Sequence, residues 1–129
     1  MLSEGRGPFT MHNGPVYRRR QNGRMQVGLR VLERHCNGLG FLHGGMAAAF
    51  SDGALAWAVY EATRQSSVTV RLSMDYLNPV RLGDWLMADS KCVGVDGDIV
   101  HVEAELTRNE KHLVSHAVGV FHLIRRNPK

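Results

Sequence analysis

The sequence predicts an α+β fold, a long antiparallel sheet wrapped around one central helix. Three observations lead there. "GGMAAAFSDGALAWAVYEATR", residues 44–64, is proline-free, rich in good helix formers and apolar nearly all round, and a helix with no polar face must be enclosed on most sides. "SVTVRLSMDY", residues 67–76, alternates apolar and polar side chains at the two-residue period of a strand with one buried face. "DWLMADSKCVGV" and "DIVHVEAELT" flank an Asp-Gly step at 96 and 97, which suits a tight reversal between two strands. With 129 residues and 43% apolar composition, the chain is long enough for one packed domain and short of two.

Residues 1–15, "MLSEGRGPFTMHNGP", read as an irregular N-terminal segment. They lack both a basic opening and an apolar stretch of signal-peptide type, so export is not expected and a reducing cytoplasm is the default location. Cys36 and Cys92 then read as free thiols. They lack the C-x-x-C pairing of a zinc site, and the histidines show no ligand spacing, so no metal is expected. No apolar run approaches the ~20 residues that cross a bilayer.

"YRRRQNGRMQVGLRVLE" carries an Asn-Gly turn at 22 and 23, which predicts a short first strand and a second over about 24–33. A glycine-punctuated loop, 34–43, leads into the helix, which should run about 18 residues despite Gly53. In the following strand Val68, Val70, Leu72, Met74 and Tyr76 should face the core, with Thr69, Arg71, Ser73 and Asp75 on the polar face. Asn78-Pro79 ends that strand. The hairpin follows, and "HLVSHAVGVFHLI" closes the sheet after the turn "RNEK". One such sheet covers only part of an all-apolar helix, so a second subunit is expected to cover more.

The net charge of +4 gathers near the ends, in Arg18, Arg19, Arg20 and Arg24 and in Arg125, Arg126 and Lys129. Basic patches bind phosphates through counterion release. No recognition motif or interleaved aromatic accompanies these arginines, so nucleic acid is not an expected partner, whereas a nucleotide-bearing small molecule is compatible with them.

The stretch "HCNGLGFLHGGMAAAFSD", residues 35–52, holds an Asn, a His-Gly-Gly step and one carboxylate inside an apolar helix. Together with "VTVRLSMDYLNPVRLGD" it resembles the hotdog-fold acyl-CoA thioesterases, in particular the phenylacetate-pathway (PaaI-like) group. The shared pattern is Asn37, a glycine three residues on, His43-Gly44-Gly45 and an acid eight residues past Gly44. The resemblance implies a homodimer or dimer of dimers with shared active sites. It also implies hydrolysis of an acyl-CoA thioester without metal or cofactor. Aryl or medium-chain acyl groups are expected, because the pocket would lie along an apolar helix.

The residues can be read chemically beside that resemblance. Thioester hydrolysis needs donors aimed at the carbonyl oxygen and a base that presents water to the carbonyl carbon. Gly44 and Gly45 open the helix, where backbone N–H groups are unpaired, the dipole is positive and glycine admits a ligand to the main chain. By resemblance Gly44 donates its amide to the carbonyl and Asn37 supplies or orders a second polar contact. Asp52 is the expected base, acting on water or attacking directly. Eight residues of helix rise place it about 12 Å from Gly44, too far to act on a carbonyl held there. Two helices antiparallel across a twofold axis would bring Asp52 of one subunit beside Gly44 of the other.

The family has Ser or Thr where Thr69 stands, which orients the water. His43 is read as fixing the loop rather than as a base. CoA contacts are implied from Tyr76 to Arg81, Asn78 included, and around Gly94 to Ile99. Arg81 offers a phosphate partner, Gly94 and Gly97 offer approachable backbone, and Arg71 is a further phosphate candidate. A hotdog hydratase or dehydratase, and a non-catalytic acyl-CoA-binding domain, are the alternatives; Asp52 argues against the second.

Overall fold

The structure, a computed structural model, describes residues 7–22 and 24–124. Six strands form one sheet: β1 (Val16–Gln21), β2 (Arg24–Arg30), β3 (Ser67–Tyr76), β4 (Trp85–Asp96), β5 (Ile99–Arg108) and β6 (His112–Leu123). Their order is β1-β2-β4-β5-β6-β3, with every neighbouring pair antiparallel. A short helix α1 (Pro8–Asn13) precedes the sheet, and the long helix α2 (Gly44–Thr63) lies against it, touching every strand from β2 to β6.

Phe50, Ala54, Leu55, Trp57, Ala58 and Val59 of α2 pack on the inward side chains of the strands, among them Leu29, Leu86, Val102, Leu106 and Phe121. At Gly119 β6 comes close to α2: a Cβ there would meet Leu55 at 2.9 Å and Phe121 at 2.8 Å. Arg64 ends the helix in the left-handed conformation with its N–H on the Tyr60 carbonyl.

Several expectations are corrected. Pro8–Asn13 is helical where an irregular segment was expected; Pro8 opens it, a position where its missing N–H costs nothing. The second strand ends at Arg30 instead of 33, because the chain turns at Glu33–His35, with the Leu32 N–H bound by the His35 ring. The helix runs 20 residues. Arg125, Arg126 and Lys129 lie outside the described residues.

The correction with most consequence is in β3. Its pairing with β6 slips by one residue between Thr69 and Arg71, a bulge that reverses which face later residues occupy. Thr69 pairs with buried Phe121 and so faces α2, whereas Arg71 pairs with Val120 on the outer face. Thr69 and Arg71 therefore do not share a face. Val68 points outward with His122, and Val68, Val70 and Tyr76 are each more than half exposed. β3 is an edge strand and is not buried as the alternation predicted.

Candidate active site

The loop before α2 is built by its own side chains. Asn37 accepts the N–H groups of Leu39 and Phe41 at 2.9 and 3.2 Å, which closes the loop on itself. Gly40 takes φ +83°, as the turn requires. His43 caps α2, its Nδ1 accepting the Gly45 N–H at 2.9 Å. That bond makes Nδ1 an acceptor and fixes the ring, so His43 orients the helix start.

The two glycines of the step have different reasons. A Cβ on Gly45 would sit 3.0 Å from His43 Nδ1, whereas one on Gly44 would meet nothing nearer than the Tyr76 ring at 3.7 Å. The Gly45 amide is engaged by His43, and the Gly44 amide has no acceptor among the described residues. Tyr76 donates its hydroxyl to the Gly44 carbonyl at 2.7 Å, tying the end of β3 to the helix start. Sequence reasoning missed this bond, since no spacing rule links residues so far apart. Beside it opens a cavity of about 300 Å³ lined by Phe41, Ala47, Tyr76, Asn78 and Val80.

Asp52 lies two turns further along α2, half-buried, where Thr69 donates its hydroxyl to Oδ1 at 2.5 Å. The bulge makes this contact, because it turns Thr69 toward the helix. A separate apolar recess of about 60 Å³ opens between α1 and α2 on the β1–β2 side, lined by Phe9, Met46, Phe50, Gly53 and Trp57.

The predicted site residues thus fall into two groups at opposite ends of β3. Asn37, His43, Gly44, Gly45, Tyr76, Asn78 and Arg81 gather at one end. Asp52 and Thr69 gather at the other, and the β4–β5 hairpin with Gly94 and Gly97 lies toward that same end, since Ile99 and Val68 both pair with His122. Asn78 is held to β6 by a bond from its Nδ2 to the Leu113 carbonyl, and the Arg81 guanidinium lies 5.4 Å from the Phe41 ring centroid. Gly97 takes φ +60° in the hairpin turn, and Gly94 follows a register slip in β4.

The loop after β3 is pinned by Asp84, which accepts the Arg81 N–H and a bond from Asn109. Burial pushes its carboxyl upward, but the bonds from Arg81 and Asn109 outweigh that and hold it below the usual carboxylate range. Burial pushes the Cys36 thiol up, and Glu33 adds to the shift, which suits an inert filler. Among the described residues no group of His, Cys, Asp and Glu is placed to hold a metal ion, and no helix is long and apolar enough to cross a membrane.

One long helix laid against a six-stranded antiparallel sheet, with a carboxylate on it and the Gly44 amide open at its start, defines the hotdog class. Residues 39–115 match the thioesterase superfamily. A Pseudomonas aeruginosa protein named as an esterase is 35% identical over 113 residues, 85% of this chain and 84% of that one. A Streptococcus mutans protein solved with acetyl CoA is 25% identical, with TM-score 0.78 over 88% of this chain and 91% of that one. A phenylacetic acid degradation protein of Thermus thermophilus shares the fold at 24% identity, with TM-score 0.80 over 92% of this chain and all (100%) of that one. The chain belongs to the thioesterase superfamily and is a thioester hydrolase.

Proposed function

We propose that the chain hydrolyses acyl-CoA thioesters, aryl or medium-chain, to free acid and CoA, and that its reaction centre forms where two copies meet. The observation that carries this reading is the Thr69–Asp52 hydrogen bond, which presents a carboxylate with an oriented hydroxyl at the helix surface. A water bound beside this pair would be activated by Asp52 and attack a carbonyl whose oxygen rests on the Gly44 amide of the other copy. Collapse of the tetrahedral intermediate expels the CoA thiolate. Protein groups supply both needs, so the reading calls for no metal or cofactor.

The edge strand supports the shared arrangement. β3 is ten residues long, unpaired on one side among the described residues, and exposes Val68, Val70 and Tyr76 beside its polar residues, a template for pairing with another chain. Antiparallel pairing of two β3 strands about a twofold between Leu72 and Ser73 would set Thr69 of one copy opposite Tyr76 of the other. The carboxylate of each chain would then meet the helix start of its mate, and such dimers would pair again into a dimer of dimers. The acetyl CoA bound to the Streptococcus mutans neighbour supports CoA as the carrier. The cavity beside Tyr76 and Asn78 suits its pantetheine arm, and the recess at Phe50 and Trp57 suits the head of an acyl group.

The test is a panel of phenylacetyl-, hydroxybenzoyl- and straight-chain acyl-CoAs with released thiol monitored, for the native protein and for Asp52→Asn. Turnover on members of the panel that disappears on substitution, with binding and assembly retained, supports the reading. Equal turnover in both proteins removes Asp52 from the reaction, and binding without turnover across the panel makes the domain a sensor.

A further inference from the structure

The arginine run at the first strand has no part in the reaction described above. Strand alternation sends Arg18 and Arg20 inward, to the Trp57 ring and to Glu61, and leaves Tyr17 and Arg19 on the outer face. There β1, β2 and β4 frame a groove of about 520 Å³, within the range of small-molecule sites. Its floor is aromatic: the Tyr17 and Trp85 rings stand 5.9 Å apart. The Trp85 ring lies directly over Gly28, where an added Cβ would come within 2.0 Å of it, so the absent side chain is what lets the indole lie down. A guanidinium stands on each side: Arg30 lies 5.1 Å from the indole centroid, and Arg19 is hydrogen-bonded to Gln26. Among the described residues the one carboxylate lining the groove is Glu110, which reaches Arg19 at 3.7 Å with both side chains more than half exposed.

We infer that this outer-face groove binds a nucleoside phosphate, the base against Tyr17 and Trp85 and the phosphates on Arg30 and Arg19. Flat rings offer a stacking surface to any base, and guanidinium forks suit phosphate oxygens. Glu110 competes with the phosphate for Arg19, through an exposed ion pair of the kind that a ligand displaces at little cost. The groove lies across the sheet from Asp52 and Gly44, so it is separate from the reaction centre. Its ligand has two sources, a free nucleotide or the adenosine diphosphate half of CoA reaching round the sheet.

The experiment is calorimetric titration of the full chain with ADP, alone and in the presence of saturating CoA. Saturable binding is expected. Arg30→Gln and Arg19→Gln should each weaken it on the order of tenfold, as for loss of one charge-assisted contact, and Glu110→Gln should tighten it. The opposite signs distinguish ligand recognition from a general loss of structure, and circular dichroism checks the fold of each variant. ADP that still binds beside CoA identifies a free nucleotide; ADP displaced by CoA, with both weakened by Arg30→Gln, identifies the CoA half. No binding at millimolar ADP, or binding indifferent to both arginines, overturns the inference. None of these measurements needs turnover, so that failure would leave thioester hydrolysis standing.

Discussion

Asp52 announces itself in the sequence because a carboxylate in an apolar helix has no packing reason to be there, and its role turns on one bond. Asp52→Asn keeps the shape and removes the proposed base; it should lower kcat by ~10²–10⁴ while leaving acyl-CoA binding unchanged, read by thiol release and by calorimetry. Thr69→Val removes the donor on Asp52 at nearly the same volume, and should lower kcat about tenfold or more with little change in KM. The orientation of Thr69 was not legible, since strand alternation put it with Arg71 and the slipped register separates them. The role of His35 was also illegible. It is buried, accepts the Leu32 N–H at Nδ1 and meets the Asn13 carbonyl through Nε2 at 2.7 Å, so the neutral ring with Nε2 protonated satisfies both. Burial is the main reason its pKa is lowered from 6.5. A histidine depressed in the folded state contributes stability that is present above its unfolded value and lost as pH falls through the folded one. Denaturant midpoints should therefore fall as pH drops below about 6.5, and His35→Gln should flatten that slope.

Among the elements, α2 was legible almost to the residue because helix-forming composition, glycine start and unbroken length all agree. The hairpins were legible from their turns: Asn22, Asn109 and Glu110 all take positive φ, where Asn is tolerated. α1 and the end of β2 were missed because each depends on contacts that arrive from elsewhere, such as the bond of Arg34 to the Gly14 carbonyl. How closely sheet and helix approach was equally invisible, and Gly119 sets it. Gly119→Ala should force Phe121 or Leu55 from its place and destabilise the fold by about 1–3 kcal/mol, read as a lower thermal midpoint. Gly53→Ala, whose Cβ would meet nothing, should be neutral or stabilising by up to about 1 kcal/mol.

For the whole molecule, the proposed reaction centre requires assembly, because its two residue groups stand at opposite ends of β3. Val70→Lys on the exposed edge should yield a smaller species by light scattering and abolish thioester hydrolysis together, while the monomer keeps its helical and sheet signal. Complementation gives a sharper reading. Asp52→Asn and Asn37→Ala proteins, each inactive alone, should regain activity when mixed under conditions that exchange subunits, because a hybrid contains one site with both native groups. A mixture no more active than its parts would place the whole reaction in one chain. The slip at Val70 has one more implication. A shortened chain lacking that residue would pair Thr69 with Phe121 and Arg71 with Val120 in unbroken register, keep both side chains on their present faces, and so should retain hydrolysis. Within this stretch of backbone the spare residue adds length without assigning any functional group to a different side.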